Sequence, residues 1–453
     1  MPIPMGPFAA ASVVLLLGAP VRAQSLQDLV GQLFVVGQET APLWVNAQDL
    51  SQPTTAPGVE DDGFLPSASS ANGAVLDFLT RWVGVSPGYF PVGSTSGGLT
   101  FHFEGGLPVA AAVSAGPIYG ERGHTLGRGR AVVGANYTST RFNTSRGKPI
   151  DDLRLEFTHS NIDSDQCDAE EGRDCAPLGV PASENDLLEV LLTLDLDVDV
   201  ASLFATYGLL DRIDLGLIVP VVHTSLAAHS IAQIIPFGGL PTGATHFLAG
   251  TAEDPVLSTT QVVAGSATGI GDIAGRLKVN LLDRNRAAVA LLADVRAPTG
   301  DEKDFLGTGE WAFRGLGILS LQFGDFSPHV NAGYVWRGRN AANRVANDAI
   351  LATLGFDQVF APWATFSADV ISELQLGRSV FEVPAPVTFT APFVRSVRPM
   401  EISDARDNLV TVSLGFRLAT LSNFMGVANT LIPVTGSSPR PDFAWTVGVE
   451  YDF

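Results

Sequence analysis

Fifteen residues, "VLLTLDLDVDVASLF" (190–204), set the rhythm of most of this chain. Leu192, Leu194, Leu196, Val198 and Val200 share one face of an extended strand, and Thr193, Asp195, Asp197 and Asp199 share the other. That period of two marks a strand buried on one side only. The same alternation recurs in "GRAVVGANYTSTRF", "IGDIAGRLKVNLL", "EWAFRGLGILSLQF", "SPHVNAGYVWRG" and "LVTVSLGFRL". It returns in the terminal "WTVGVEYDF", where Trp445, Val447, Val449, Tyr451 and Phe453 oppose Thr446, Gly448, Glu450 and Asp452. Thirteen such strands are predicted between Arg130 and Phe453.

Connection length carries a second pattern. "GLLDR", "DRNR", "GDFS", "APW" and "TLSN" are short. Between them lie longer segments: 161–186, 230–268, 299–309, 338–347, 380–406 and 435–440. A soluble sandwich has no reason to sort its loops by end. A transmembrane barrel does, with tight turns on the periplasmic side and long loops outside. Such barrels have an even strand number, so Val109–Tyr119 is taken as a further strand before Ala131. The predicted fold is an all-β transmembrane antiparallel barrel of about 14 strands, with 12 to 16 in range, formed by residues 108–453.

The N-terminal part differs. "SLQDLVGQLFVVG" puts Leu26, Leu29, Val30, Leu33 and Phe34 at helical spacing, with Ser25 and Asp28 placed for a capping box. A Pro/Gly/Ser-rich linker follows, then "AVLDFLTRWVG" with Leu76, Leu79, Trp82 and Val83 on one side. Helices this short are unstable alone and must pack on something. Residues 24–107 are therefore expected to form a plug or linker segment. Residues 1–23 read as a signal peptide: an apolar core, Phe8 to Ala19, precedes the small-residue site "VRA". No Lys or Arg precedes that core, a departure from the usual pattern.

Composition narrows the classes. The chain of 453 residues is 46% hydrophobic and 16% charged, below the roughly 25% charged of soluble domains. Yet no apolar run reaches the roughly 18 residues of a spanning helix. The net charge of −20 argues against nucleic acid, which needs a basic face. Cys167 and Cys175 are the two cysteines; in an exported chain their proximity suggests a local disulfide closing an acidic loop. A divalent cation held by the surrounding acids is the alternative reading.

Candidate chemistry is sparse. "GIGDIA" (269–274), with Asp294 further on, fits the loose dinucleotide fingerprint. The residues after it alternate as a strand, whereas the fingerprint requires a helix. The seven histidines form no HExxH-type spacing, and no G-x-S-x-G elbow occurs. The chain is read as no enzyme, with no cofactor and no metal. The inward-facing set is Asp195, Asp197, Asp199, Arg276, Lys278, Asp294, Arg296, Arg314, His329 and Arg417, with Arg337, Asp369 and Glu373. Two readings stand: a solvated lumen with charges paired across strands, or a polar path with docking points for the N-terminal segment. Tyr137, Trp311, Trp336, Trp445, Tyr451 and Phe453 are candidates for interfacial girdles.

With "YGLLDRIDLGLIVPVV", "TGIGDIAGRLKVNLL", "RAPTGDE", "SPHVNAGY" and the terminal "VGVEYDF", the chain resembles Gram-negative outer-membrane barrels of the meta-pathway of phenol degradation. More distantly it is similar to the long-chain fatty-acid and aromatic-hydrocarbon transporters. The resemblance implies an outer-membrane location, a lumen plugged by an N-terminal segment, and passage of small hydrophobic or aromatic compounds. It also implies a signal read by the barrel-assembly machinery in Trp445, Val447, Val449, Tyr451 and Phe453. Outer-membrane lipid, that machinery and a small hydrophobic ligand are the expected partners. A non-transporting structural or surface-interaction barrel and a general polar-solute porin are the alternatives.

Overall fold

The computed structural model describes residues 24–37, 42–47, 101–104, 107–110, 119–158, 186–237, 246–251, 253–284, 286–338, 347–379, 383–389, 393–402, 406–419, 423–435 and 440–453. The proposed signal peptide, most of the N-terminal linker and both cysteines lie outside them. One short helix, α1 (Leu26–Gln32), starts where the sequence places it. Asp28 N–H donates to Ser25 Oγ at 3.2 Å and Ser25 N–H to Asp28 Oδ2 at 3.3 Å, completing the capping box. Among the described residues no helix is long and apolar enough to cross a membrane.

The remaining elements used below are strands: β1 (Ala131–Ser145), β2 (Leu153–Thr158), β3 (Leu187–Leu210), β4 (Ile213–Ile235), β5 (Ser258–Ile270), β6 (Ala274–Arg284), β7 (Ala287–Arg296), β8 (Ala312–Leu321), β9 (Phe326–Arg337), β10 (Ala349–Ala361), β11 (Ala364–Gln375), β12 (Leu409–Ala419), β13 (Phe424–Pro433) and β14 (Arg440–Asp452). Twelve of them close an antiparallel barrel: β1, β3, β4 and β6 to β14 in succession. Closure is made by β14 on β1, from Asp452↔Val132 up to Trp445↔Ser139, and Phe453 N–H donates to Ala131 O at 2.8 Å.

The count of 12 is the lower end of the expected range. Of the expected strand Val109–Tyr119, residues 111–118 lie outside the described ones, and neither described end pairs with the wall. Leu107–Ala110 pairs instead with Phe101–Glu104 in a separate hairpin. Because β1 is antiparallel to β14, it runs away from the tight-turn end, and no strand is needed between them. β2 pairs within the sheet only with the outer half of β3. β5 and β6 share one place beside β4, β6 pairing with its first residues and β5 with the rest.

β3 and β4 hold 24 and 23 residues, about twice the 9–11 that cross a bilayer. Their outer halves, with β2 and β5, rise as a sheet at the long-loop end. There the apolar face turns inward. Leu192, Leu194, Leu196 and Val198 join Val30, Leu33, Phe34, Phe157, Phe305 and Met400 in the largest buried cluster. Phe34 and Phe157 meet edge-to-face with centroids 6.1 Å apart. Each such fully buried side chain contributes roughly 1.5–3 kcal/mol, which is what fixes α1 at this end.

This packing overturns one expectation. Asp195, Asp197 and Asp199 do not line the lumen; they point outward. Arg141 on β1 lies 2.8 Å from Asp197 and 3.7 Å from Asp195, and its side chain is 66% exposed. The reason is height. Beyond a lipid belt the outside of a strand meets water, so the usual assignment of faces inverts, and the leucines take the dry side under α1. Nearer the turns β3 returns to the ordinary phase, with Leu203 and Tyr207 exposed and Phe204 and Thr206 buried.

Cysteines placed singly at 194 and 195 in a Cys167→Ser/Cys175→Ser background test this inversion. A bulky polar maleimide should label Asp195→Cys in folded protein and spare Leu194→Cys until denaturation. The opposite pattern would put the aspartates back inside.

Candidate functional site: a lumen crossed by its own chain

Below the apolar cluster, the inner wall is built from the polar members of each alternating strand. Arg276, Lys278 and Asn280 on β6, Asp294 on β7, His329 and Asn331 on β9, Asp357 on β10, Ser367 and Asp369 on β11, and Arg417 on β12 are all buried. Their strand neighbours Leu277, Leu291, Val330, Leu354, Val370 and Phe416 are exposed on the outer face. Aromatics edge that face at two heights. Phe313 and Trp336 meet at 5.3 Å near the long loops; Phe366–Phe416 at 5.2 Å and Phe424–Tyr451 at 4.6 Å lie near the tight turns. Ten residues of β9 separate the two levels, about 25 Å of tilted strand, the height of a lipid-facing band.

The lumen is not open. Tyr119–Arg130, immediately before β1, descends through it and touches strand after strand. Tyr119 Oη lies 2.7 Å from Thr446 Oγ1. Gly120 N–H donates to Asp369 Oδ2 at 3.4 Å. Glu121 N–H donates to Asn331 Oδ1, and Asn331 Nδ2 donates back to Glu121 O, both at 2.8 Å. Gly123 N–H donates to Ser320 Oγ at 2.9 Å, and Asn280 Nδ2 donates to Gly123 O at 2.6 Å. Lower down, Leu126 N–H donates to Asp214 Oδ2 at 3.0 Å, and its side chain packs with Val132, Phe204, Ile218 and Ala274. Gly129 N–H donates to Gly208 O at 2.8 Å where the segment turns into β1.

Charge pairing holds the segment. Glu121 sits 2.8 Å from Arg276 and 3.0 Å from Lys278, with every partner at or below 4% side-chain exposure. Arg276 continues to Asp294 at 2.7 Å, and Asp294 also meets Arg314. Arg122 donates through Nη2 to Asp357 Oδ2 at 2.6 Å, and Ser367 Oγ donates to Asp357 Oδ1 at 2.7 Å. His329 Nε2 lies 2.7 Å from Asp369. The close approach needs glycine twice. A Cβ on Gly123 would fall 2.6 Å from Ala288 O, and one on Gly120 would overlap the His329 ring and Asp369.

Of the inward candidates, Arg276, Lys278, Asp294, His329 and Arg417 lie on the inner wall, Arg417 paired with Glu450 at 2.9 Å. Arg296 and Arg314 are half-buried near the long-loop end. Arg337 reaches Glu373 at 2.7 Å. Of the described residues of the expected plug, 24–37 and 42–47 sit at the long-loop end against β5 and the 303–306 loop, where Gln27 N–H donates to Lys303 O and Ser230 Oγ to Leu33 O, while 101–104 and 107 belong to the separate hairpin. In the C-terminal motif, Trp445, Val447, Val449 and Phe453 are exposed, and Tyr451 lies half-buried with Phe424 and Phe453 each 4.6 Å away.

Sequence reasoning missed Glu121 and Arg122. "YGERGHTLGRGR" (119–130) has neither period, so nothing marks it as wall or helix. Its one signal is glycine recurring among charges just before the first secure strand.

Arg122→Ala should leave Asp357 a buried carboxylate without its arginine, a loss of about 3–5 kcal/mol. The midpoint temperature of the heat-dependent gel shift should fall, and Asp357→Asn in the same chain should restore part of it. An unchanged midpoint in Arg122→Ala would mean that the pair does not hold the segment.

A family model described as "Putative MetA-pathway of phenol degradation" matches residues 193–371. No curated protein matches. Among solved structures, a FadL homologue of Pseudomonas aeruginosa is 11% identical, covering 72% of this chain and 89% of its own, at a TM-score of 0.29. The P. putida toluene transporter TodX gives 11%, 72%, 89% and 0.29. The CymD monoaromatic hydrocarbon channel gives 11%, 72%, 89% and 0.31. From within β3 to within β11, the chain resembles the family of the MetA-pathway of phenol degradation.

Proposed function

We propose that this chain is an outer-membrane barrel that passes small hydrophobic or aromatic compounds and keeps its lumen closed to general solutes with Tyr119–Arg130. The observation that carries this reading is the stacking of two unlike environments along one axis. An apolar cluster under α1, including Phe34, Phe157, Phe305 and Met400, stands at the long-loop end. Below it lies a lumen crossed by ion-paired chain. An apolar solute partitions into the first; the second excludes bulk flow of ions and sugars. The phenol-degradation description of the matching family supports an aromatic substrate class. The exposed apolar belt and its two aromatic levels support residence in a bilayer.

The filled lumen also favours a second reading, a barrel that conducts nothing and acts through its long loops. Uptake separates the two. Cells carrying the protein should accumulate a labelled monoaromatic compound faster than cells without it, while liposomes containing it stay closed to sugars. Equal accumulation would sink the transport reading. Removing residues 24–128 should open the liposomes, whereas removing 24–107 alone should leave them nearly closed, since the luminal segment remains. In the same proposal Phe453 belongs to the signal for the barrel-assembly machinery. Phe453→Asp should lower the yield of heat-modifiable protein in the outer membrane, and normal assembly of that variant would remove the role.

A further inference from the structure

Two of the tight hairpins carry the same four-residue run, Leu-Leu-Asp-Arg, each preceded by a small or polar residue. With that residue, the β3–β4 hairpin reads Gly208-Leu209-Leu210-Asp211-Arg212 and the β6–β7 hairpin reads Asn280-Leu281-Leu282-Asp283-Arg284. Each contains a break in register at the same place, between Gly208 and Leu210 and between Asn280 and Leu282. A strand otherwise sends successive side chains to opposite faces; a bulge cancels one alternation. Both leucines of each pair are therefore exposed: Leu209, Leu210, Leu281 and Leu282. The two hairpins are neighbours, since Asn280 N–H donates to Arg212 O at 2.9 Å.

Beside the leucines stand Arg212, Arg284 and Arg286, with Arg128 from the luminal segment's exit. All four are exposed, and among the described residues none has an ion-pair partner. The acids of these turns do not cancel them: Asp283 lies 3.5 Å from His124, and Asp211 and, in the adjoining β8–β9 turn, Asp325 leave four arginines against three aspartates. In a chain of net charge −20, this is a local excess of cations. It adjoins the outward row Leu215, Leu217 and Leu277. The β10–β11 hairpin has a bulge as well, between Val359 and Ala361, and exposes Phe360 and Trp363. It carries no cation, so a bulge alone does not explain the arginines.

We propose that the paired Leu-Leu-Asp-Arg hairpins form a binding site for anionic phospholipid in the leaflet at the tight-turn end. The four leucines enter the acyl region and the arginines hold the headgroup phosphate from the aqueous side. Guanidinium is suited to this because its planar fork donates two hydrogen bonds to one phosphate. The leucines select a lipid over a soluble anion. This rests on the bilayer part of the reading above and is independent of what the barrel transports.

The test uses the full chain in nanodiscs of mixed phosphatidylglycerol and phosphatidylcholine, with retained lipids counted by native mass spectrometry. The wild type should retain phosphatidylglycerol above its bulk share. Arg212→Gln with Arg284→Gln should lose that preference by roughly fivefold per arginine, while Arg337→Gln at the opposite end keeps it. Inserted wild type without a preference, or the double variant with the full one, would overturn the site. Displacement by millimolar inorganic phosphate would overturn the assignment to lipid. Heat-dependent gel migration is read on the same samples. A chain that fails to insert overturns the bilayer reading and this inference together; an inserted one without preference overturns this inference alone.

Discussion

The pairing of β14 with β1 is the interaction on which everything else rests. Every strand of the wall exposes a row of N–H and C=O groups on each side, and an unclosed sheet leaves two such rows unmet. In hydrocarbon that is prohibitive, because no water is present to satisfy them. Joining the last strand to the first removes both edges at once. The Phe453–Ala131 bond carries the β14–β1 ladder one step past Asp452↔Val132. Once the ring is closed, the alternation of each strand becomes a division of space, with apolar residues outside and polar residues enclosed across the lipid-facing band, and the reverse in the outer half of β3.

Enclosure then dictates the chemistry of the lumen. The twelve strands turn charged side chains inward, and buried carboxylates and guanidinium groups cannot be left in a dry interior without partners. The chain meets that demand largely with one segment. Tyr119–Arg130 supplies backbone donors to Asp369, Asn331, Ser320 and Asp214 and contributes Glu121 and Arg122 as counter-charges. The segment and the wall are therefore mutually stabilising. Breaking an ion pair strands a charge on each side.

The sequence was most legible where the periodicity was strict and one face met a single environment. β6, β9, β12 and β14 keep the faces that alternation assigns them, and the five tight connections join successive strands. It was least legible where a strand outgrows the belt. Asp195 and Leu194 alternate as well as any pair in the chain, but a period of two says only that the faces differ. Which face is inside depends on what lies beyond each, and α1, whose last residue Gln32 lies 162 positions before Leu194, decides it. The luminal segment was illegible for a different reason. Its bonds all go to distant strands, and such bonds leave no local period. The phase of a bulged hairpin is likewise invisible until the register is known, which is why the paired leucines at 209–210 and 281–282 read as ordinary turn flanks.

The route of the chain has a consequence for the order of assembly. The described residues before Tyr119 that pack on the barrel, α1 and 42–47, lie at the long-loop end, whereas β1 begins at the tight-turn end. The polypeptide therefore passes through the ring formed by its own later strands. A ring that closed first would require everything upstream to be drawn lengthwise through a pore already lined with charge. The economical sequence is the reverse: the strands curl around a segment already lying among them, and the seam between β1 and β14 seals last. In this molecule β14 acts as a fastener on β1, closing a ring around chain that precedes it in sequence.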